Sequence, residues 1–298
     1  MPRALLRALF GIGQTPTPVS GGRLGAATTI IKRSDGVDYL VDLLGQIDLK
    51  LVRMHEAQDA DQPCFYIRHD VDQDMDRALA IAEAECRHGY FSTWFLLTPG
   101  SYGEKRNYYG TLTNGAIQHA PHLVDHCKRL LDLGHDLGFH NDLVALALAT
   151  KRSPADLLTD EIEFFTGHGI RLVGTASHGS PLARQLKYNN RELFAGCIRR
   201  GWVPGRTIEH DAQSIQLHSL RLEDYGFRYE AYSLPRDSRL SESGRVWGGR
   251  IAGRRVPKEQ LSQHFDIDQF RALVSRASAA NGIKALSILT HPCHWDSR

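Results

Sequence analysis

The sequence predicts an α/β protein built on a mainly parallel sheet. Short apolar runs alternate with amphipathic helical patterns along most of the chain, the signature of strand, helix, strand units with right-handed crossovers. Helices between nearly all the strands favour a barrel over an open sheet. Several of the apolar runs also end in Asp or His, and strand ends are where such architectures gather their reacting groups.

After a Gly, Pro and Thr-rich lead, Val37 to Ile47 reads as a helix, and Cys64-Phe65-Tyr66-Ile67 as a buried strand closing on Arg68-His69-Asp70-Val71-Asp72. Asp74 to His88 sets Ala78, Leu79, Ala82 and Cys86 at helical spacing before Gly89. Phe91 to Leu97 is the next strand. Pro121 to Leu133 collects Leu123, Val124, Cys127, Leu130 and Leu131 on one face and stops at Gly134, ahead of a short strand from Asp136 to His140. Ser153 then caps a helix with Pro154 at its first position and Leu157, Leu158, Ile162 and Phe165 inward. Arg171 to Ser177 is a strand and Arg184 to Ile198 a helix. A less regular region from Gly201 to Pro257 contains strand patterns at Arg228 to Leu234 and Arg245 to Gly249. A helix from Ile267 to Ala280 and a strand from Ala285 to Thr290 complete the pattern. No internal repeat, low-complexity tract or linker divides the chain, so residues 37–298 are expected to form one domain and residues 1–36 an N-terminal extension.

Composition narrows the function classes. Of 298 residues, 42% are apolar and 23% charged, ordinary for a soluble globule. Thirty-six basic residues nearly balance 34 acidic ones, so no global field points to nucleic acid or a membrane surface. Cys64, Cys86, Cys127, Cys197 and Cys293 are odd in number and widely spaced, which suggests neither a disulfide framework nor a zinc ribbon. Arg7 interrupts the apolar run near the start, leaving it too short for a signal-peptide core. Leu5 to Ile12 still forms a weak amphipathic segment. No stretch approaches the roughly 20 apolar residues that cross a bilayer. The expected location is cytoplasmic, peripheral to the inner membrane at most.

The chemistry gathers at four strand ends: Asp70 with Asp72, His140 in Gly-Phe-His-Asn-Asp, His178 in Ala-Ser-His-Gly-Ser, and His291 in Leu-Thr-His-Pro. Asp70 and Asp72 point the same way, and two like charges that close are costly unless a cation or a proton-transfer role uses them. Taken singly, each residue has a plain alternative: Asp-x-Asp as a helix cap, the histidines as core or turn residues. Taken together they fit a catalytic metal site, which uses three protein ligands and leaves a position for water. Asp72, His140 and His178 would be the ligands of one divalent metal, zinc first, with cobalt, nickel, manganese or iron also compatible. Asp70 would take a proton from water and His291 would give one to the leaving group. His69, His135 and His294 read as structural or supporting residues, and Tyr188, Asn189 and Asn190 as helix-start residues within reach of substrate.

These motifs in this order resemble the polysaccharide deacetylase family, the NodB-homology hydrolases of carbohydrate esterase family four, over roughly residues 60–298. The resemblance implies a distorted (β/α) barrel with about seven parallel strands, and metal-assisted attack on an N-acyl group. It matches Asp70 to the catalytic base, Asp72 to the metal aspartate, the segment from Gly134 to His140 to the one ending in the first metal histidine, and His291 to the general acid. Asp237 and Trp247 resemble the late motif that orients the base and walls the acyl pocket. The family's second metal histidine falls four residues after the first, where this chain has Val144. His178 is the expected replacement and Asp142 the alternative ligand. Arg68 or Arg236 would stand in for the family's base-steering arginine.

The expected function is removal of an N-acyl group, most simply N-acetyl, from an amino sugar in surface glycan, O-antigen or lipopolysaccharide biosynthesis. N-deformylation and a non-catalytic carbohydrate-binding barrel are the alternatives, Val144 being the feature that favours the last. The expected partner is a small-molecule or glycan amino sugar and not nucleic acid.

Overall fold

The computed structural model describes residues 36–101, 103–197, 203, 205–243, 246–256 and 284–294. In chain order they form α1 (Gly36–Gly45), β1 (Lys50–Leu51), β2 (Cys64–Val71), α2 (Met75–Arg87), β3 (Thr93–Leu97), β4 (Gly110–Thr113), β5 (Ala116–His119), α3 (Leu123–Asp132), β6 (Asp136–Asn141), α4 (Leu143–Thr150), α5 (Pro154–Gly167), β7 (Leu172–Ser177), α6 (Pro181–Gln185), β8 (Thr207–His210), β9 (Gln213–Gln216), β10 (Ser238–Ser243), β11 (Val246–Ile251), β12 (Arg254–Arg255) and β13 (Ala285–Thr290). The helix expected over Ile267 to Ala280, and the expected extension up to residue 35, lie outside the described residues.

The central sheet has the order β12-β11-β10-β13-β2-β3-β6-β7, with β1 beside the start of β2. From β10 to β7 every neighbouring pair is parallel, while β11 and β12 are added antiparallel. This is the mixed α/β, mostly parallel architecture that the alternating pattern predicts. Residues 228–230 extend the pairing past β7: Arg228 N–H donates to the Val173 carbonyl (2.9 Å) and Thr175 N–H to that of Tyr229 (3.0 Å). The same stretch runs on into β10, so one segment touches both ends of the parallel path.

Alternation along β2 assigns its two faces. Phe65, Ile67 and Val71 join the apolar cluster that includes α1 and α2, whereas Cys64 and Tyr66 join Phe95, Ala176, Tyr229 and Ala231 in a second, inner one. The whole strand is buried, which is why it begins as an unbroken apolar run. Two glycines admit the inner aromatic rings: a Cβ at Gly138 would collide with the Phe95 ring, and one at Gly174 would stand 2.7 Å from Tyr229. Arg68, Asp70 and Asp72 continue the inner face of β2 upward to the carboxyl edge of the sheet.

Two expectations need correction. The helix from Arg184 to Ile198 is instead α6 followed by a 3-10 turn at Asn190–Leu193. Asn189 breaks it: its side chain accepts from Arg191 N–H (3.1 Å), while its own N–H donates to Glu192 (2.8 Å), the reciprocal cap that starts a new turn. Arg228 to Leu234 pairs with β7 only near Glu230 before turning into a 3-10 helix at Ala231–Ser233. The hairpin of β4 and β5, turned by Asn114-Gly115 at φ 51° and 79°, and the mostly apolar helix α4 are elements the sequence reading did not contain.

A fully buried polar network ties the outer face of the sheet to α2. Glu85 accepts from His69 Nε2 (2.8 Å) and from the Ser92 hydroxyl (2.7 Å); His69 also pairs through Nδ1 with Thr290 (2.6 Å) and stacks on Trp94 at 4.1 Å. Burial alone would raise the Glu85 carboxyl, but the charge and hydrogen bond of His69, then His135 and Ser92, hold it below its ordinary 4.5. Burial lowers His135 below its ordinary 6.5. The unfolded chain therefore binds protons at both positions at a higher pH than the folded one. Their stabilisation is complete above 6.5 and drains as pH falls, first at His135 and then at Glu85. Glu85→Gln is expected to cost about 2–3 kcal/mol in denaturant unfolding at neutral pH and to flatten the acid limb. An unchanged midpoint at both pH values would contradict this.

Candidate metal centre

The parallel register assembles the site. His140 is the penultimate residue of β6, His178 follows β7, Asp70 is the penultimate residue of β2 and Asp72 follows it. Thr290 of β13 pairs with His69, so one further step sets His291 beside Asp70. Asp72, His140 and His178 each offer a ligand atom, all within 4.8 Å of one another. His140 Nε2 lies 3.3 Å from Asp72 Oδ1, His178 Nε2 lies 3.8 Å from Asp72 Oδ2, and the two rings meet edge to face at 5.0 Å.

Both imidazoles are held in the tautomer a ligand needs. His140 Nδ1–H donates to the Ala176 carbonyl (2.9 Å), and His178 Nδ1–H to Asp142 Oδ2 (3.2 Å), so each ring turns Nε2 toward Asp72. Such outer partners fix ring orientation and raise ligand basicity. Asp142 is itself saturated, with Oδ1 accepting from Asn190 Nδ2 (2.8 Å) and Ser180 Oγ (3.3 Å). The alternative ligand of the sequence reading is thus placed behind His178 and outside the ligand cluster. Burial pulls the His140 pKa down, but Asp70 and the hydrogen bond and charge of Asp72 raise it above 6.5. Burial pushes the Asp72 carboxyl up, and the His140 hydrogen bond with the charges of His140, His178 and His291 brings it well below the carboxylate range. The carboxylates that favour a proton on His140 would equally favour a cation between them.

Asp70 faces the same space but is engaged elsewhere. Arg68 grips it with two parallel bonds, Nε to Oδ1 (2.6 Å) and Nη2 to Oδ2 (2.7 Å). Burial would raise the Asp70 carboxyl; Arg68, then His140 and His291, outweigh it and keep Asp70 ionised below the ordinary range. Asp70 Oδ2 stands 3.4 Å from His140 Nε2 and 3.9 Å from His291 Nε2. The side chains of Asp72 and His291 are 11% and 13% exposed against 3% for Asp70, so the site opens between Asp72 and His291.

His291 is oriented by a residue the sequence reading missed. Its Nδ1–H donates to the Glu242 carbonyl (2.8 Å) and its backbone N–H to Glu242 Oε2 (3.1 Å). Burial lowers the His291 pKa, but the hydrogen bond it gives to Glu242 and the charges of Asp70 and Asp72 carry it above 6.5. Glu242 falls to about 2: burial opposes ionisation, and the hydrogen bonds from His291 and His294 override it.

Asp237 does not belong to this constellation. Its carboxylate accepts from Lys284 N–H (3.1 Å) and Ala285 N–H (2.8 Å) at the start of β13, the edge opposite His291. Trp247 pairs in register with Glu242 across β10 and β11, and its side chain is outside what is described. Arg236 reaches Asp70 only indirectly: it stacks on Tyr232 at 4.5 Å, and Tyr232 stacks on Arg68 at 4.7 Å. Val144 is buried in α4, its N–H bonded to Asn190. Asn190 and Tyr188 are buried braces and Asn189 a cap. A wider apolar cavity of about 600 Å³ lies by Phe165, Leu172 and Tyr225, at the start of β7 and away from His178.

Fold and cluster together define a mixed α/β protein with a candidate metal centre at the carboxyl ends of parallel strands. Compared with protein-family models, curated proteins and solved structures, the chain finds no match.

Proposed function

We propose that the chain is a metal-dependent amidohydrolase of the polysaccharide deacetylase kind. Residues 37–298 form a distorted (β/α) barrel with about seven parallel strands, and the reaction removes an N-acyl group, most simply N-acetyl, from an amino sugar. The observation that carries this reading is the convergence of Asp72, His140 and His178 within 4.8 Å, flanked by Asp70 and His291. The segment from Arg228 to β10, which touches both ends of the parallel path, supports closure into a barrel. His178 supplies the donor that Val144 lacks, which weakens the case for a non-catalytic binding module.

A divalent cation on Asp72, His140 and His178 would lower the pKa of water to about 7 and polarise the acyl oxygen. This donor set favours zinc and also suits cobalt, nickel, manganese or iron. Arg68 fixes the Asp70 carboxylate so that Oδ2 accepts the proton of the attacking water. Glu242 holds His291 through Nδ1 and leaves Nε2 facing Asp70. Protonated at Nε2, His291 gives its proton to the departing nitrogen as the carbon–nitrogen bond breaks, so that a free amine and a carboxylic acid leave.

Among the described residues no helix is long and apolar enough to cross a membrane, and a cytoplasmic sugar nucleotide or lipid-linked glycan of surface-polysaccharide biosynthesis is the substrate this reading favours. The test offers the purified chain N-acetyl and N-formyl amino sugars and a ureide, and follows amine release. Chelation is expected to stop the reaction and zinc or cobalt to restore it. Release indifferent to chelation, or none from any N-acyl sugar, would refute the proposal.

A further inference from the structure

A second group of donors lies on the far side of His291. Glu242, His291 and His294 also bring ligand atoms within 4.8 Å of one another. We propose that this cluster is an inhibitory divalent-metal site, which takes up zinc and prevents His291 from serving as the proton donor. The inhibitory role rests on the reading of His291 given above; the site itself does not.

Five donor atoms converge there, three oxygens of Glu242 and two imidazole nitrogens. Glu242 Oε1 is 2.6 Å from His294 Nδ1, Glu242 Oε2 is 3.5 Å from His291 Nδ1, and the Glu242 carbonyl oxygen is 2.8 Å from that same Nδ1. Protons on the two Nδ1 atoms hold these contacts. Imidazole and carboxylate are the donors zinc prefers, and binding it releases the protons it replaces.

The cluster is pre-organised. His294 N–H donates to the His291 carbonyl (3.0 Å) and closes the turn, while Arg77 Nη1 donates to the Cys293 carbonyl (3.2 Å) and pins it to α2. An ion can reach it, because the His291 and His294 side chains are 13% and 23% exposed while Glu242 is 3% exposed.

The surrounding charge accommodates it. Asp70, Asp72, Asp142 and Glu242 are buried around His291 and the first centre, and Arg68 is the one buried guanidinium that touches them among the described residues. A cation on Nδ1 replaces the proton that orients His291 toward Asp70. The imidazole then stays neutral, and a neutral ring gives up its remaining proton far less readily than an imidazolium does.

The experiment titrates the full-length, metal-stripped chain with zinc. Bound metal is counted after equilibrium dialysis while hydrolysis of an N-acyl amino sugar is followed in parallel. The wild type is expected to bind two zinc ions per chain, with activity rising on the first and falling on the second. His294→Ala should bind one, and should stay active at zinc concentrations at least about tenfold above those that inhibit the wild type. His140→Ala should lose activity yet keep one ion. His294→Gln serves if the alanine variant melts early. One zinc at saturation in the wild type, or two in both His294 variants, overturns the proposal. If no N-acyl sugar is hydrolysed, the inhibitory role falls with the functional reading, and the zinc counts still decide whether the second site exists.

Discussion

Asp70→Asn is expected to lower hydrolysis of an N-acyl amino sugar by about 10²–10⁴-fold, the range a positioned general base supplies, while metal content stays unchanged. The division follows from geometry. Both oxygens of Asp70 are taken by Arg68 at 2.6 and 2.7 Å, which removes it from the ligand cluster of Asp72, His140 and His178. An asparagine keeps the volume but cannot accept a proton at neutral pH. It also turns an amide nitrogen toward one Arg68 N–H, so a stability cost of about 1–3 kcal/mol is expected beside the loss of turnover. A thermal melt and a metal count on the same preparation separate the two effects. Turnover within a few fold of wild type would remove Asp70 from the role of base.

The four strand ends were legible because period-two alternation and a parallel sheet need no knowledge of register: an apolar run that stops on Asp or His puts that residue at the carboxyl edge whichever strand lies next to it. The partner of His291 was not legible for the converse reason. Asp237 and Glu242 are both acidic residues near the same strand pattern, and register alone tells them apart. Ser238 pairs with Leu286 and Ser241 with Leu289, so Asp237 lies at the amino edge and Glu242 reaches the carboxyl edge beside His291. A similar limit applies to Asp142. Sequence placed it two residues after His140, close enough to be a ligand. Its burial between Ser180, His178 and Asn190 depends on contacts across three separate segments.

That placement sets the second large effect. His178→Ala is expected to abolish stoichiometric metal binding at the centre, because the remaining Asp72 and His140 provide two of the three protein ligands a catalytic site of this kind uses. Asp142→Asn should be milder, lowering affinity by about 10–100-fold, the usual effect of losing an outer partner of a ligating histidine. Asp142 would act on a metal only through His178 Nδ1–H, at 3.2 Å. An asparagine can still accept that bond through its amide oxygen, less strongly than a carboxylate. Were Asp142 a ligand, the two variants would fail alike, and a carboxylate restored by Asp142→Glu would not rescue the lost geometry. Competitive titration with a chromophoric chelator measures both affinities. Equal loss in the two variants would move Asp142 into the ligand set, whereas full binding by His178→Ala would empty the third position and return the centre to Asp72 and His140.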